Sequence, residues 1–186
     1  MNPFKALRVF DEGGKAVARV VEMALADLSP GEVVLQTAYS SVNYKDALAA
    51  TGAGRIIRSF PRVAGIDATG TVISSADARF KAGDEVICTS YEFGVGHDGG
   101  FSQVCRVPAD WVVPLPKGLT LFDAAALGVA GYTAGLAVEL LELNGMAPNN
   151  GKVLVNGATG GVSTLAIDML ANLGYHVVAV TGKDAE

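Results

Sequence analysis

The sequence predicts two regions of different class: a β-rich region over residues 1–122, then the first βαβ part of a parallel α/β fold over residues 123–186. Three observations carry this. Short apolar runs separated by glycine and proline turns fill the first region. At Asp123 the apolar spacing changes to that of a helix. From Lys152 to Lys183 an apolar run, a glycine turn, a helical stripe and a second apolar run follow one another in about 30 residues, the length of a βαβ unit.

The elements follow in order. Phe4, Ala6, Leu7, Val9 and Phe10 form a first strand and Val17–Val21 a second, with the Asp11-Glu12-Gly13-Gly14 turn between them. Pro30-Gly31-Glu32 turns into a strand over Val33–Ser40. Ser41-Val42-Asn43-Tyr44-Lys45-Asp46 is a polar run in a region about to turn, a reasonable place for a site. Asn43 and Asp46 equally suit the cap of a short helix over Ala47–Ala50. Val63–Val72 reads as one glycine-punctuated strand, and Val86–Cys88 as another after the Lys81–Asp84 turn. Gly94–Gly100 reads as a flexible loop, in which His97 is solvated or capping. Phe101–Val107 is a strand, and Trp111–Pro116 is extended and limited by proline. The helix from Asp123 is rich in small residues, which implies close packing against backbone or a flat ligand. Asn149-Asn150-Gly151 is the last turn before the βαβ unit.

Within that unit, Val153–Val155 suits a strand buried on both faces. Val162, Leu165, Ala166, Met169, Leu170 and Leu173 share one helical face, and Gly174 stops the helix. Val177–Val180 is the second strand. The turn Gly157-Ala158-Thr159-Gly160-Gly161 carries the chemistry. A helix N-terminus offers unpaired N–H groups and partial positive charge, so it holds anions, and glycines let a pyrophosphate come close. The spacing departs from the dinucleotide fingerprint: two residues separate Gly157 from Gly160, and Ser163 stands at the third glycine. At the end of the second strand an NAD site wants an acid for the ribose hydroxyls. Thr181-Gly182-Lys183 offers a hydroxyl, open backbone and a cation instead, which suits the 2′-phosphate of NADPH, although Asp184 follows.

Half of the 186 residues are hydrophobic and 18% are charged, so the chain can bury a core and is not a disordered segment. The net charge of −5 argues against nucleic acid or an anionic membrane as a partner. No uninterrupted apolar run has the ~18 residues of a spanning helix, and MNPFKALRVF lacks the apolar segment of a signal peptide. Cys88 and Cys105 make no disulfide framework and read as packing residues. The expectation is a cytoplasmic protein.

Four stretches together give a resemblance: SSVNYKDALAATGAGRIIRSFPRVAGIDATGTV, GGFSQVCRVPADWVVPLP, AAALGVAGYTAGLAV, and VLVNGATGGV with VVAVTGK. Across nearly the whole chain it resembles the medium-chain dehydrogenase/reductase superfamily, in its zinc-free quinone-oxidoreductase branch and nearest to the acrylyl-CoA reductase type. The resemblance implies a GroES-like catalytic domain (1–122) and the N-terminal part of a Rossmann NADPH-binding domain (123–186). It implies reduction of an activated carbon–carbon double bond in a small molecule, an enoyl-CoA thioester such as acrylyl-CoA giving propionyl-CoA. A quinone or enone substrate, or an NADPH-binding protein without activity, are the alternatives. Tyr44 is then the first candidate to donate a proton, Asn43 to orient nicotinamide or thioester, and Asp46 to orient its neighbours. Thr133 would contact the nicotinamide. Ala158, Thr159, Gly160, Gly161, Val162, Thr181, Gly182 and Lys183 would bind the rest of the cofactor. Where zinc members place Cys and His ligands, this sequence reads Asn43-Tyr44-Lys45-Asp46 and Gly65-Ile66-Asp67, so no metal is expected. Arg55 and Arg58 read as surface charge or loop anchors, with contact to CoA phosphates as the alternative, and His176 as structural. A doubly wound domain has about six strands and only two are present. The chain is therefore expected to be a piece of a longer protein, homodimeric when full length, and inactive alone.

Overall fold

In the computed structural model, which describes residues 2–182, the chain opens with a long hairpin. Strands β1 (Phe4–Glu12) and β2 (Lys15–Met23) pair in antiparallel register from Phe4↔Met23 to Glu12↔Lys15. Gly13 and Gly14 alone form the turn, both with positive φ (63° and 84°), the dihedrals that match a two-residue turn to strand twist. The Asp11 carboxylate accepts the Gly14 N–H at 2.7 Å. β4 (Arg62–Val63) adds to the other side of β1.

The larger sheet has five antiparallel strands in the order β7-β3-β5-β6-β8: β3 (Val33–Tyr39), β5 (Asp67–Ser75), β6 (Glu85–Thr89), β7 (Val104–Val107) and β8 (Val112–Pro114). Val33, Leu35, Ala68, Val72, Val86, Phe93 and Val107 fill its core. Burial of each large member stabilises by ~1.5–3 kcal/mol. Helix α1 (Tyr44–Thr51) lies between β3 and β4 and ends at Gly52 in the left-handed conformation (φ 74°).

Helix α2 runs from Leu121 to Leu143 and is broken at Gly128, whose φ of 47° and ψ of −152° are not helical. The chain divides there into two compact units, the first ending at Gly128 and the second starting at Val129. In the second, β9 (Lys152–Asn156) and β10 (His176–Val180) pair in parallel on either side, in sequence, of α3 (Gly161–Asn172). Val138, Leu170 and Tyr175 form its small core, with Val153, Val155 and Val177 against it.

The structure corrects several expectations. Val63–Val72 is not one strand: Gly65 (φ 98°) breaks it into β4 and β5. Regular pairing in the next run starts at Val104, not Phe101, after an isolated bridge at Ser102. The Gly94–Gly100 loop is packed rather than open. Phe93, His97 and Asp98 are buried in it, and both ring nitrogens of His97 lie 2.9 Å from backbone carbonyls, of Asp98 and of Pro30. β9 is covered on one face only. Val153 and Val155 meet the helices, while Leu154 on the other face is 66% exposed. Finally, α2 is by length and composition apolar enough to cross a membrane, because its acidic residues sit near its ends. It is broken at Gly128, buries Ala124, Ala125, Ala134 and Val138, and leaves Phe122, Tyr132, Leu136 and Leu140 exposed.

Candidate active site

In the first unit the polar run after β3 folds onto one buried acid. The Asp67 carboxylate, 2% exposed at the start of β5, accepts the Ser41 N–H at 2.7 Å and the Ser41 hydroxyl. The Asn43 side-chain amide donates to Asp67 Oδ2 at 3.1 Å and to Ser41 Oγ at 3.0 Å. Ser40 Oγ donates to the Asp67 carbonyl at 2.7 Å. A buried carboxylate is costly unless it is hydrogen-bonded, and these donors satisfy it. They also fix the Asn43 side chain with its NH2 turned inward.

Asp46 is the second buried acid, also 2% exposed. Its carboxylate accepts the Asn43 N–H at 2.8 Å and the Ile66 N–H at 3.0 Å. The first of these bonds is half of a capping box and starts α1; the second ties α1 to the approach to β5. Burial holds the Asp46 carboxyl above its ordinary range, the negative charge of Asp67 adds to this, and the bonds from Asn43 and Ile66 oppose it. Asn43 and Asp46 thus both cap the helix and join the cluster. Tyr44, between them on the helix, is 81% exposed.

Glycine makes the room for this cluster. A Cβ on Gly128 would come within 2.8 Å of both Asp67 Oδ2 and Ser41 Oγ, and one on Gly100 within 1.9 Å of the Asp67 carbonyl oxygen. Thr69 Oγ1 donates to the Leu121 carbonyl at 2.8 Å and ties β5 to the start of α2.

The second unit contains the glycine turn. Gly157 follows β9 with φ 61°, and no side chain caps α3 at Gly160. The first-turn N–H groups of Gly161, Val162 and Ser163 have no intrahelical partner, as in any helix. Ser163, at the position of the third fingerprint glycine, donates its hydroxyl to the Asn156 carbonyl at 2.8 Å. Thr164 Oγ1 lies 3.2 Å from the Ala158 carbonyl and 2.9 Å from that of Gly160. Two hydroxyls therefore brace the turn from below. Thr159, Gly160, Gly161 and Val162 are exposed and Ala158 is half-buried. Ala130 on α2 is the neighbour a Cβ on Gly161 would meet, at 3.6 Å. Thr133, one turn later, is exposed and donates its hydroxyl back to the Val129 carbonyl at 2.8 Å. Thr181 and Gly182 are exposed after β10, and Lys183 lies outside the described residues.

The sequence reading missed Asp67 as an organising group, along with its partner Ser41 and the bracing pair Ser163 and Thr164. The signal for Asp67 was available: a lone acid in the apolar, small-residue run Val63–Val72 is rarely buried without partners. Nothing local pointed to Ser41. Cys88 and Cys105 are buried as expected; burial first pushes both thiols up, Cys105 to about 12.

Residues 29–117 match the model of the alcohol dehydrogenase GroES-like domain. Acrylyl-CoA reductase AcuI of Ruegeria pomeroyi is 50% identical over 173 residues, 93% of this chain and 52% of that protein. The crystal structure of Bacillus subtilis YhfP with NAD bound superposes with a TM-score of 0.96 at 49% identity, covering 99% of this chain and 56% of that one. By these matches the chain is similar, over nearly its whole length, to proteins named acrylyl-CoA reductase and quinone oxidoreductase, and its residues 29–117 carry an alcohol dehydrogenase GroES-like domain. Escherichia coli YhdH with bound NADPH superposes with a TM-score of 0.94 at 46% identity over 96% of this chain and 55% of that one. The chain spans about half the length of the relatives it matches. The GroES-like match lies within the first unit, and the second has the strand–helix–strand order that opens a Rossmann fold.

Proposed function

We propose that this chain is part of an NADPH-dependent reductase of activated carbon–carbon double bonds, with acrylyl-CoA as the leading substrate. The observation that carries the proposal is the Asp67–Ser41–Asn43 network, which fixes a side-chain amide beside the exposed Tyr44. The residues of the second unit fit the cofactor: Gly157 in the left-handed conformation, an uncapped α3 and exposed glycines suit a pyrophosphate. Thr181 and Gly182, after β10, suit the ribose phosphate. The NADPH bound in YhdH supports the same choice.

NADPH, when bound, supplies hydride to the β-carbon of the enoyl thioester. The chain's own residues then have two tasks. The negative charge arriving on the thioester oxygen needs a hydrogen-bond donor, and the α-carbon needs a proton. Tyr44 is assigned the donor or proton role and Asn43 the orientation of the carboxamide or thioester. Asp46 is assigned as a positioning residue, because its carboxylate accepts the backbone N–H groups of Asn43 and Ile66. Thr133 is assigned to the nicotinamide side, as an acceptor, since its proton is engaged. A cytoplasmic homodimer belongs to this reading.

The test is loss of NADPH absorbance with the complete polypeptide, offered acrylyl-CoA or a simple quinone. Turnover of the thioester is expected. Activity on the quinone alone would move the substrate assignment, and reaction with neither while NADPH binds would overturn the catalytic reading. Tyr44→Phe should lower kcat by about 100-fold or more while the urea midpoint stays unchanged, as expected for so exposed a side chain.

A further inference from the structure

We infer that the groove between the β1–β2 hairpin and the C-terminal end of α1 receives the phosphates of the CoA tail, which makes Lys15 and Arg55 specificity residues for a CoA thioester over a free enone. This rests on the substrate class proposed above.

The groove has a volume of about 410 Å³ and is lined on its apolar side by Ile56, Ile57 and Phe60. Its charged lining is Lys15, Arg55 and Asp11. The acid is engaged: Asp11 Oδ1 accepts the Gly14 N–H and holds the hairpin turn. Among the described residues neither cation makes an ion pair. The groove therefore has a net charge of +1 and two unpaired cations on a chain whose overall charge is −5.

The backbone that carries the two cations is closely defined. A Cβ on Gly52 would lie 2.8 Å from the Ala16 methyl, so α1 ends directly on β2, next to Lys15. Arg55 follows with φ 48°, a conformation that side chains other than glycine rarely adopt. Strained residues concentrate where a ligand is held. The C-terminal end of α1 brings partial negative charge towards the groove, which two full cations exceed.

The placement fits an extended substrate. α1 has Asn43 and Tyr44 at its N-terminal end and the groove at its C-terminal end. Eight helical residues span about 12 Å. A thioester at Tyr44 thus puts the far end of a pantetheine arm, which is longer than this helix, within reach of Lys15 and Arg55. Phosphate oxygens accept charge-assisted hydrogen bonds from an ammonium and a guanidinium.

The experiment compares acrylyl-CoA with the same acyl group on N-acetylcysteamine, which has no phosphate, in the complete polypeptide with saturating NADPH. The double substitution Lys15→Ala/Arg55→Ala should raise KM for acrylyl-CoA at least tenfold with little change in kcat. The preference for the CoA thioester over the truncated one should fall by the same factor. Equal effects on both substrates, or no effect on either, would overturn the inference. If the unsubstituted protein turns over neither thioester, the function reading fails separately. Calorimetric titration with CoA then decides the groove: binding that the double substitution abolishes supports it, and no binding, or binding left intact, overturns it.

Discussion

Asp67 reaches Ser41 and Asn43 across 26 and 24 residues of chain, whereas the bonds that brace the glycine turn through Ser163 and Thr164 close within seven. The first region is buried and built from side chains whose placement needs β3, α1 and β5 to be assembled. The second is exposed and built mostly from backbone, with Ala158 N–H to the Val180 carbonyl (3.0 Å) as its long-range tie. On the proposed function, the difference follows from what each would hold. An orienting amide has one useful direction, so it needs a network. A pyrophosphate needs only N–H groups, open space and a helix end.

The contrast predicts unequal responses to the same substitution. Gly100→Ala puts a methyl group 1.9 Å from the Asp67 carbonyl oxygen. Backbone must move, so the cost should be on the order of 3 kcal/mol or more, read as a fall in the urea midpoint of unfolding. Gly157→Ala meets nothing nearer than Ser163 Oγ at 4.0 Å and pays only for its φ of 61°. A loss of about 1 kcal/mol is expected, with NADPH affinity falling more than stability. Equal costs at the two glycines would erase the distinction between the regions.

The same difference decided what was legible in the sequence. The strand, glycine turn, helix and strand of the second unit were read almost to the residue, because each signal lies within a few positions of its effect. The hairpin at Gly13-Gly14 and the strand at Val33 were read for the same reason. The centre of the first site was not, since the partners of Asp67 lie more than 20 residues earlier and no periodicity links them. The Gly94–Gly100 loop was misread as open because glycine marks flexibility and close packing alike; here a Cβ on Gly99 would meet the Gly65 carbonyl at 2.1 Å. The left-handed break at Gly128 was hidden inside a run of good helix formers.

A smaller effect separates the regions by pH. Asp46 is held above its ordinary carboxyl value of 3.8, chiefly by burial. The folded state therefore binds the proton more tightly than the unfolded chain. The sign is that stability falls as pH rises from about 3.8 through the raised value, and acid relieves the strain between the two buried acids. Asp46→Asn should flatten this slope in urea titrations run at several pH values, at the cost of one bond to backbone. The glycine turn contains no such group, and Gly157→Ala should leave the slope as it is. A slope unchanged by Asp46→Asn would mean that another acid carries it.

The central claim is that Ser41 and Asp67 act through Asn43. It is tested most directly by a double-mutant cycle on kcat/KM in the complete polypeptide, with Ser41→Ala, Asn43→Ala and the two combined. If Ser41 serves to hold the Asn43 amide, the combined variant is about as slow as Asn43→Ala alone. If the two losses simply add, Ser41 acts independently and the cluster does not position Asn43.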